Sequence, residues 1–134
     1  MIYEKSCGAV IYTERDGKRL YLVEQMRKGH YSLCKGHVEG DESERQTAER
    51  EIWEETGLRV AFMDGFRETI AYSPYADCLK TVVFFLARAD SVEVTVQEEE
   101  VREIRWLSLE DALATLSFDS DRETVRKAEA FLKS

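Results

Sequence analysis

The chain has 134 residues, of which 43% are hydrophobic and 34% charged, with 27 acids against 19 bases for a net charge of −8. That balance excludes wholesale disorder and predicts one folded domain over residues 1–134, long enough to bury roughly two-thirds of its unfolded surface without disulfide staples. The negative sign disfavours a protein that coats nucleic acid or binds an anionic membrane, so no stable nucleic-acid complex and no membrane partner is expected. The longest apolar run, residues 82–87, is far short of a membrane span. The first five residues have no charged-then-apolar signal layout, and Cys7, Cys34 and Cys78 form no CxxC pair. A reducing, cytoplasmic setting fits both, and neither a zinc site nor a disulfide framework is expected.

Residues 5–12 are β-rich and read as a strand, Asp16-Gly17 as a turn, and residues 20–26 as the returning strand of a hairpin. Residues 27–35 and 36–41 read as two loops, with glycines at 29, 36 and 40. Residues 43–56 read as a helix. Ser43 and Gln46 can form a capping box, and Gly57 stands where a left-handed stop is expected. Residues 66–72 and 79–87 read as two more strands, joined by a loop with the only proline, Pro74. Residues 92–96 and 103–107 are short strand candidates. Residues 108–116 read as a helix capped by Ser108, and residues 120–133 as another, with Ser120 and Glu123 as a capping box. Strands before and between helices predict a mixed sheet with helices packed on it.

The negative charge is concentrated. Between Gly36 and Leu58 stand eight acids and two bases, so this window carries −6 and the rest of the chain only −2. A second acidic knot is Glu98-Glu99-Glu100. On a helical wheel Glu51, Glu54 and Glu55 span an arc of about 100°. Arg50 lies beside Glu54 at salt-bridge spacing. Like charges crowded in this way repel and raise one another's pKa unless a cation is present. Converging hard oxygens suit magnesium or manganese. A solvated acidic face is the plain alternative.

The spacing shifts the balance between them. Gly36, five residues, Glu42, seven residues, then Arg50-Glu51-Ile52-Trp53-Glu54-Glu55-Thr56-Gly57-Leu58 resembles the Nudix hydrolase signature at every defined position. The resemblance implies an α/β fold in which an α/β/α sandwich encloses a mixed central β-sheet. It implies that Glu51, Glu54 and Glu55 hold a divalent metal, Mg2+ with Mn2+ the alternative, and that the Lys35 carbonyl is a further ligand. Arg50 would orient a carboxylate, and Glu42 would brace the loop, with Gly36 and Gly57 the structural glycines of the box.

Further stretches resemble the subgroup that hydrolyses diadenosine tetraphosphate asymmetrically. They are Cys7-Gly8-Ala9-Val10-Ile11, Lys35-Gly36-His37-Val38-Glu39, Gly65-Phe66-Arg67-Glu68, Lys80-Thr81-Val82 and Arg105-Trp106-Leu107. In that subgroup the residue matching Tyr72 stacks on adenine and the lysine matching Lys80 faces the polyphosphate. Glu100 best matches a late metal ligand or base, with Glu98 and Glu99 as neighbouring candidates. The chain departs from the subgroup at Cys34 and at Gly40-Asp41, where prolines are usual.

Tyr31 and Tyr75 are further candidates for base stacking. Lys35 could neutralise phosphate oxygens. His37 could donate to phosphate or only fix its loop, and Cys34 reads as a small buried filler. Trp53 and Trp106 read as packing residues. The expected activity is magnesium-dependent hydrolysis of a phosphoanhydride in a nucleoside diphosphate linked to another moiety. A dinucleoside polyphosphate, diadenosine tetraphosphate split to ATP and AMP, is the favoured substrate, and Glu54 or Glu100 is the general base. The alternatives are a Nudix pyrophosphohydrolase for damaged nucleoside triphosphates, a nucleotide sugar or RNA 5′ ends; a non-catalytic nucleotide-binding regulatory domain; and a structural acidic module for basic partners. Oligomeric state is not encoded in any of these patterns.

Overall fold

A computed structural model describes residues 1–96 and 99–134. Two long strands form its spine. β1 (Ile2–Arg15) runs parallel to β7 (Cys78–Ala89), in register from Ile2 opposite Cys78 to Tyr12 opposite Arg88. All other strand pairs among the described residues are antiparallel, so the sheet is mixed.

The free edge of β1 is shared. Near its end it pairs with β2 (Lys18–Met26) through the Asp16-Gly17 turn, whose residues have φ of 53° and 76°. Near its start it pairs instead with β4 (Cys34–His37), from Ser6 opposite His37 to Ala9 opposite Cys34. β2 continues away from β1, flanked by β3 (Tyr31–Ser32) and β8 (Val101–Leu107). β1 thus forks between β2 and β4. On the far side, β7 carries β6 (Glu68–Tyr72) at its start and β5 (Val60–Phe62) at its end.

Period-two alternation sends successive side chains to opposite faces. Cys7, Ala9 and Ile11 of β1 and Val83, Phe85 and Ala87 of β7 pack against Ala48 and Ile52 of α1 (Glu44–Thr56). Val10, Tyr12, Val82, Phe84 and Leu86 pack against Ala112 and Leu116 of the α2 (Leu109–Thr115) region and Val125 and Ala128 of α3 (Asp119–Lys133). The result is an α/β/α sandwich, as the resemblance to the Nudix family implies.

Several local expectations need correction. The segments read as loops at 27–35 and 36–41 contain β3 and β4. These strands are two and four residues long, too short and too polar to show a period, and pairing with β2 and β1 creates them. β5, three residues long, is likewise created by pairing with β7 and carries no period of its own. Residues 92–96 are not a strand; Thr95 N–H and the Val92 carbonyl bond to the Thr56 carbonyl and the Trp106 indole instead of to a ladder. α3 begins one residue early, with Phe118 at its N-cap and no side-chain cap, so the Ser120–Glu123 capping box is absent. There Arg122 binds the Asp119 carboxylate and the Leu116 carbonyl, and these contacts define the helix start. The Ser43–Gln46 capping box, the Ser108 cap and the left-handed Gly57 (φ 72°) are all present.

The first turn of α1 is pinned to the sheet. Glu44 accepts two bonds from Arg67, both 2.8 Å, and lies 2.6 Å from the Lys5 ammonium. Arg67 first and Lys5 second hold its carboxyl at about 2, against 4.5 ordinarily. A depressed carboxyl pKa contributes stability above pH 4.5 that is lost as pH falls toward 2. Discounted for partial exposure, it amounts to about 1 kcal/mol. Glu44→Gln is therefore expected to lower the Tm by a few degrees at pH 7, and the gap to wild type should close between pH 4.5 and pH 2 in thermal melts.

Candidate active site

α1 crosses the fork of β1 and carries its acids over it. Ala48 and Ile52 face the sheet and are fully buried, which turns Glu51 and Glu55, on the adjoining arc, toward β4. Arg50 gathers the neighbouring acids. Its Nε donates to Glu42 Oε2 at 2.7 Å, and its Nη1 to Glu51 Oε1 at 2.9 Å and Glu54 Oε1 at 2.8 Å. Its Nη2 donates to the His37 carbonyl at 2.9 Å and to Glu42 Oε1 at 3.1 Å. Glu42 also accepts from the Glu39 N–H and the Thr47 hydroxyl, each at 2.9 Å. Arg50 and then the Glu39 N–H hold the Glu42 carboxyl at about 2. One guanidinium thus ties the loop after β4 to three carboxylates of the box.

Glu51 lies against the backbone of Gly36. A Cβ there would sit 1.9 Å from Glu51 Cδ and 2.2 Å from both its oxygens, so the absence of a side chain makes the space. Glu55, one turn on, is 4% exposed, and it meets Glu24 of β2, which is 1% exposed. Burial first, and then Glu24, push the Glu55 carboxyl well above its ordinary range. Burial likewise raises Glu24. Glu24 Oε2 and Glu55 Oε1 are buried without a hydrogen-bond partner. Orphaned, crowded carboxylate oxygens are costly in a bare protein and are the donor set of a hard divalent cation, so these residues fit one.

Glu24, Glu51 and Glu55 open into a cavity of about 320 Å³, whose walls also carry Lys35, Gly36, His37, Lys80 and Glu100. Burial first, and then the nearby Lys35, lower the Lys80 pKa, as expected for two ammonium groups facing one empty space. A second cavity of about 360 Å³ adjoins at Lys35. It is lined by Tyr72, Phe118, Ile70, Val82, Phe84 and Asp121. Asp121 is 5% exposed, Oδ2 has no partner, and burial raises its pKa.

Glu51, Glu55, Glu100, Lys35, His37 and Lys80 therefore meet around one cavity, and Tyr72 lies in the next. Glu54 does not line the cavity; it stands half exposed on Arg50. The His37 ring points to solvent, 3.8 Å from Glu4, while its carbonyl is held by Arg50. Tyr31 is placed elsewhere: it packs on the α2–α3 side of the sheet under Arg105. Tyr75 is exposed and donates to Glu4 at 3.0 Å. Glu98 lies outside the described residues.

Two inward-facing acids, Glu24 and Asp121, had escaped notice. For Glu24 a signal existed. It shares the strand face of Leu22, which packs on the α1 side, and an acid on a core face is informative.

The family model of the NUDIX domain matches residues 3–128. The chain belongs to the Nudix hydrolase family. Its Nudix sequence is 32% identical to the asymmetrical bis(5′-nucleosyl)-tetraphosphatase of Sus scrofa, over 97% of this chain and 96% of that protein. It is 36% identical to the NAD-capped RNA hydrolase NudC of Actinobacillus succinogenes over 85% of this chain, but the match spans only 44% of that protein. The Nudix fold seen here superposes on the binary complex of the C. elegans Ap4A hydrolase with a TM-score of 0.89, at 30% identity over 97% of this chain and 98% of that one. Divalent metals are general in Nudix hydrolases, and the acidic cavity is a site of the right chemistry. No helix among the described residues is long and apolar enough to cross a membrane.

Proposed function

We propose that this chain hydrolyses a phosphoanhydride in a nucleoside diphosphate joined to a further group. The favoured substrate is a dinucleoside tetraphosphate, cut asymmetrically to a nucleoside triphosphate and a monophosphate, and the favoured metal is Mg2+. One observation carries the reading. Buried, partnerless carboxylates and two facing lysines share one cavity, and an aromatic-walled pocket adjoins it. Likeness over the full length of the tetraphosphatase supports the substrate class.

Glu51 and Glu55 would hold the metal, with the Lys35 carbonyl the further ligand the resemblance implies; Glu54, held on Arg50, stands outside the cavity wall. When bound, it supplies charge neutralisation and a more acidic water. Arg50 keeps the carboxylates of Glu51 and Glu54 oriented before any ligand arrives. Lys35 and Lys80 bind phosphate oxygens, and their mutual repulsion is relieved by that negative charge. Glu100, facing the cavity, takes the proton of the attacking water; Glu54 is occupied by Arg50, which favours Glu100 as base. The water oxygen bonds to phosphorus, the P–O–P bridge breaks, and the bridging oxygen leaves with its own phosphate. Tyr72 and Phe118 flank the space for a base, and the Asp121 carboxyl suits an exocyclic amine.

Tyr72→Ala is expected to raise KM about 5- to 100-fold with kcat nearly unchanged, because stacking is uniform binding energy. Steady-state kinetics check it, and an unchanged KM removes Tyr72 from the site. A second reading, hydrolysis of NAD-type pyrophosphates, draws on the likeness to NudC. Comparing kcat/KM for diadenosine tetraphosphate, NAD and ordinary nucleoside triphosphates separates the two. ATP and AMP as products, with the tetraphosphate preferred at least tenfold, support the first reading; preference for NAD supports the second.

A further inference from the structure

Cys34 stands at one of the chain's departures from the subgroup pattern, and it is not merely filler. Its Sγ and one oxygen each of Glu24 and Glu55 lie within 4.8 Å of one another, and all three residues are buried. The backbone explains the meeting. Cys34 opens β4 opposite Ala9, Glu24 lies on β2 just past the fork, and Glu55 hangs from α1 above both. Two of the three bring an unpartnered oxygen: Glu24 Oε2 and Glu55 Oε1, on residues 1% and 4% exposed. Among the described residues nothing satisfies these two atoms, the same oxygens that fit a hard cation above, so the cluster is open to a bound species.

The donor set says which species. Carboxylate oxygens alone suit Mg2+, but a sulfur among them does nothing for so hard an ion. A thiol sheds its proton when it becomes a metal ligand. Only an ion with real affinity for thiolate repays the loss of that proton. Zinc accepts Cys and Glu ligands in a four-coordinate site. Glu24 and Glu55 both line the cavity, so an ion can enter from it and keep a water as its fourth ligand.

We propose that Cys34, Glu24 and Glu55 form a mixed sulfur–oxygen site for a thiophilic divalent cation of the zinc class. The S–H bond of Cys34 breaks, its proton leaves to solvent, and a metal–sulfur bond forms, with no change of oxidation state. The site shares Glu55 with the acidic face of α1. A thiophilic ion seated there withdraws that carboxylate from the hard-ion site, so the chain distinguishes metals by sulfur rather than by charge. The sulfur–oxygen site itself goes beyond the hydrolase reading, while the competition for Glu55 rests on that reading.

The test is titration of the metal-free full-length protein with Cd2+, in excess Mg2+ and without substrate, following the ultraviolet thiolate-to-cadmium charge-transfer band. One equivalent of band is expected for wild type. It should persist in Cys7→Ser/Cys78→Ser, where Cys34 is the sole cysteine, and vanish in Cys34→Ser. Glu24→Gln should weaken Cd2+ binding at least tenfold. Circular dichroism reports whether each variant folds. A wild type with no band overturns the proposal whatever the variants do. So does a band that survives in folded Cys34→Ser, or one lost from the folded double variant. Because no turnover is read, absence of the band leaves the hydrolase reading intact, and absence of hydrolysis leaves the band intact.

Discussion

Glu55→Gln is expected to lower the Mg2+-dependent kcat/KM by about 10²- to 10⁴-fold, the several kcal/mol a positioned metal supplies to a phosphoryl transition state. The same substitution should leave the metal-free protein as stable as wild type. Burial and Glu24 hold the Glu55 carboxyl protonated in the absence of a cation, so a neutral amide of the same shape replaces a neutral acid. The signature is therefore a split. Without metal, the melting temperatures agree within about 2 °C, which is under about 1 kcal/mol. With Mg2+, wild type gains stability by binding, and the variant does not. A variant that melted early without metal would mark Glu55 as a folding residue. One that kept activity within tenfold of wild type would remove it from the site.

Gly36→Ala is expected to have the second-largest effect, although it adds a single methyl. The new Cβ would fall 1.9 Å from Glu51 Cδ. Gly36 is not required here for an unusual φ; it is absent from the positive-φ glycines at 17, 29, 40, 57 and 65. What it supplies is room. The obstacle is the end of a side chain, so the fold can yield by swinging Glu51 away, and stability should fall by no more than about 1 kcal/mol. The displaced carboxylate leaves both Arg50 and the cavity, and a shift of that size costs about 10²-fold in turnover. Coupling distinguishes this from a general disturbance. Gly36→Ala added to Glu51→Gln should cost almost nothing more, because the group it displaces is already disabled. Additive losses would contradict this account.

The parts of the site legible in the sequence are those set by local geometry. Ser43, Gln46 and Gly57 bound α1 through contacts within one turn, and Arg50 reaches Glu54 four residues on. Glu42, eight residues from Arg50, emerged only through the resemblance, since a loop intervenes. Tertiary placement was illegible. β3 and β4 exist because β2 and β1 offer edges, and a segment such as Cys34–His37 has no period of its own. Tyr31 read as a candidate for base stacking, but its short strand turns it to the α2–α3 core. Glu24 and Asp121 come from a strand and a helix far from the box, and only folding shows that both end in cavity walls.

A net of −8 reads at first as repulsion of any polyanion. Most of that charge lies in the box, where Arg50, and in the proposed reading a bound cation, compensate it. The field met by a phosphate is then that of the loaded site, with Lys35 and Lys80 beside it.

The most direct test of the central claim is hydrolysis of a panel of nucleoside diphosphate compounds with and without Mg2+. The panel holds diadenosine tetraphosphate, NAD, a nucleotide sugar and nucleoside triphosphates, each given to wild type and Glu55→Gln. Turnover of at least one compound is expected to require the metal and to fall at least 10²-fold in the variant, consistent with the loss of metal-supplied stabilisation. No metal-dependent turnover of any compound, or equal turnover by both proteins, would contradict it.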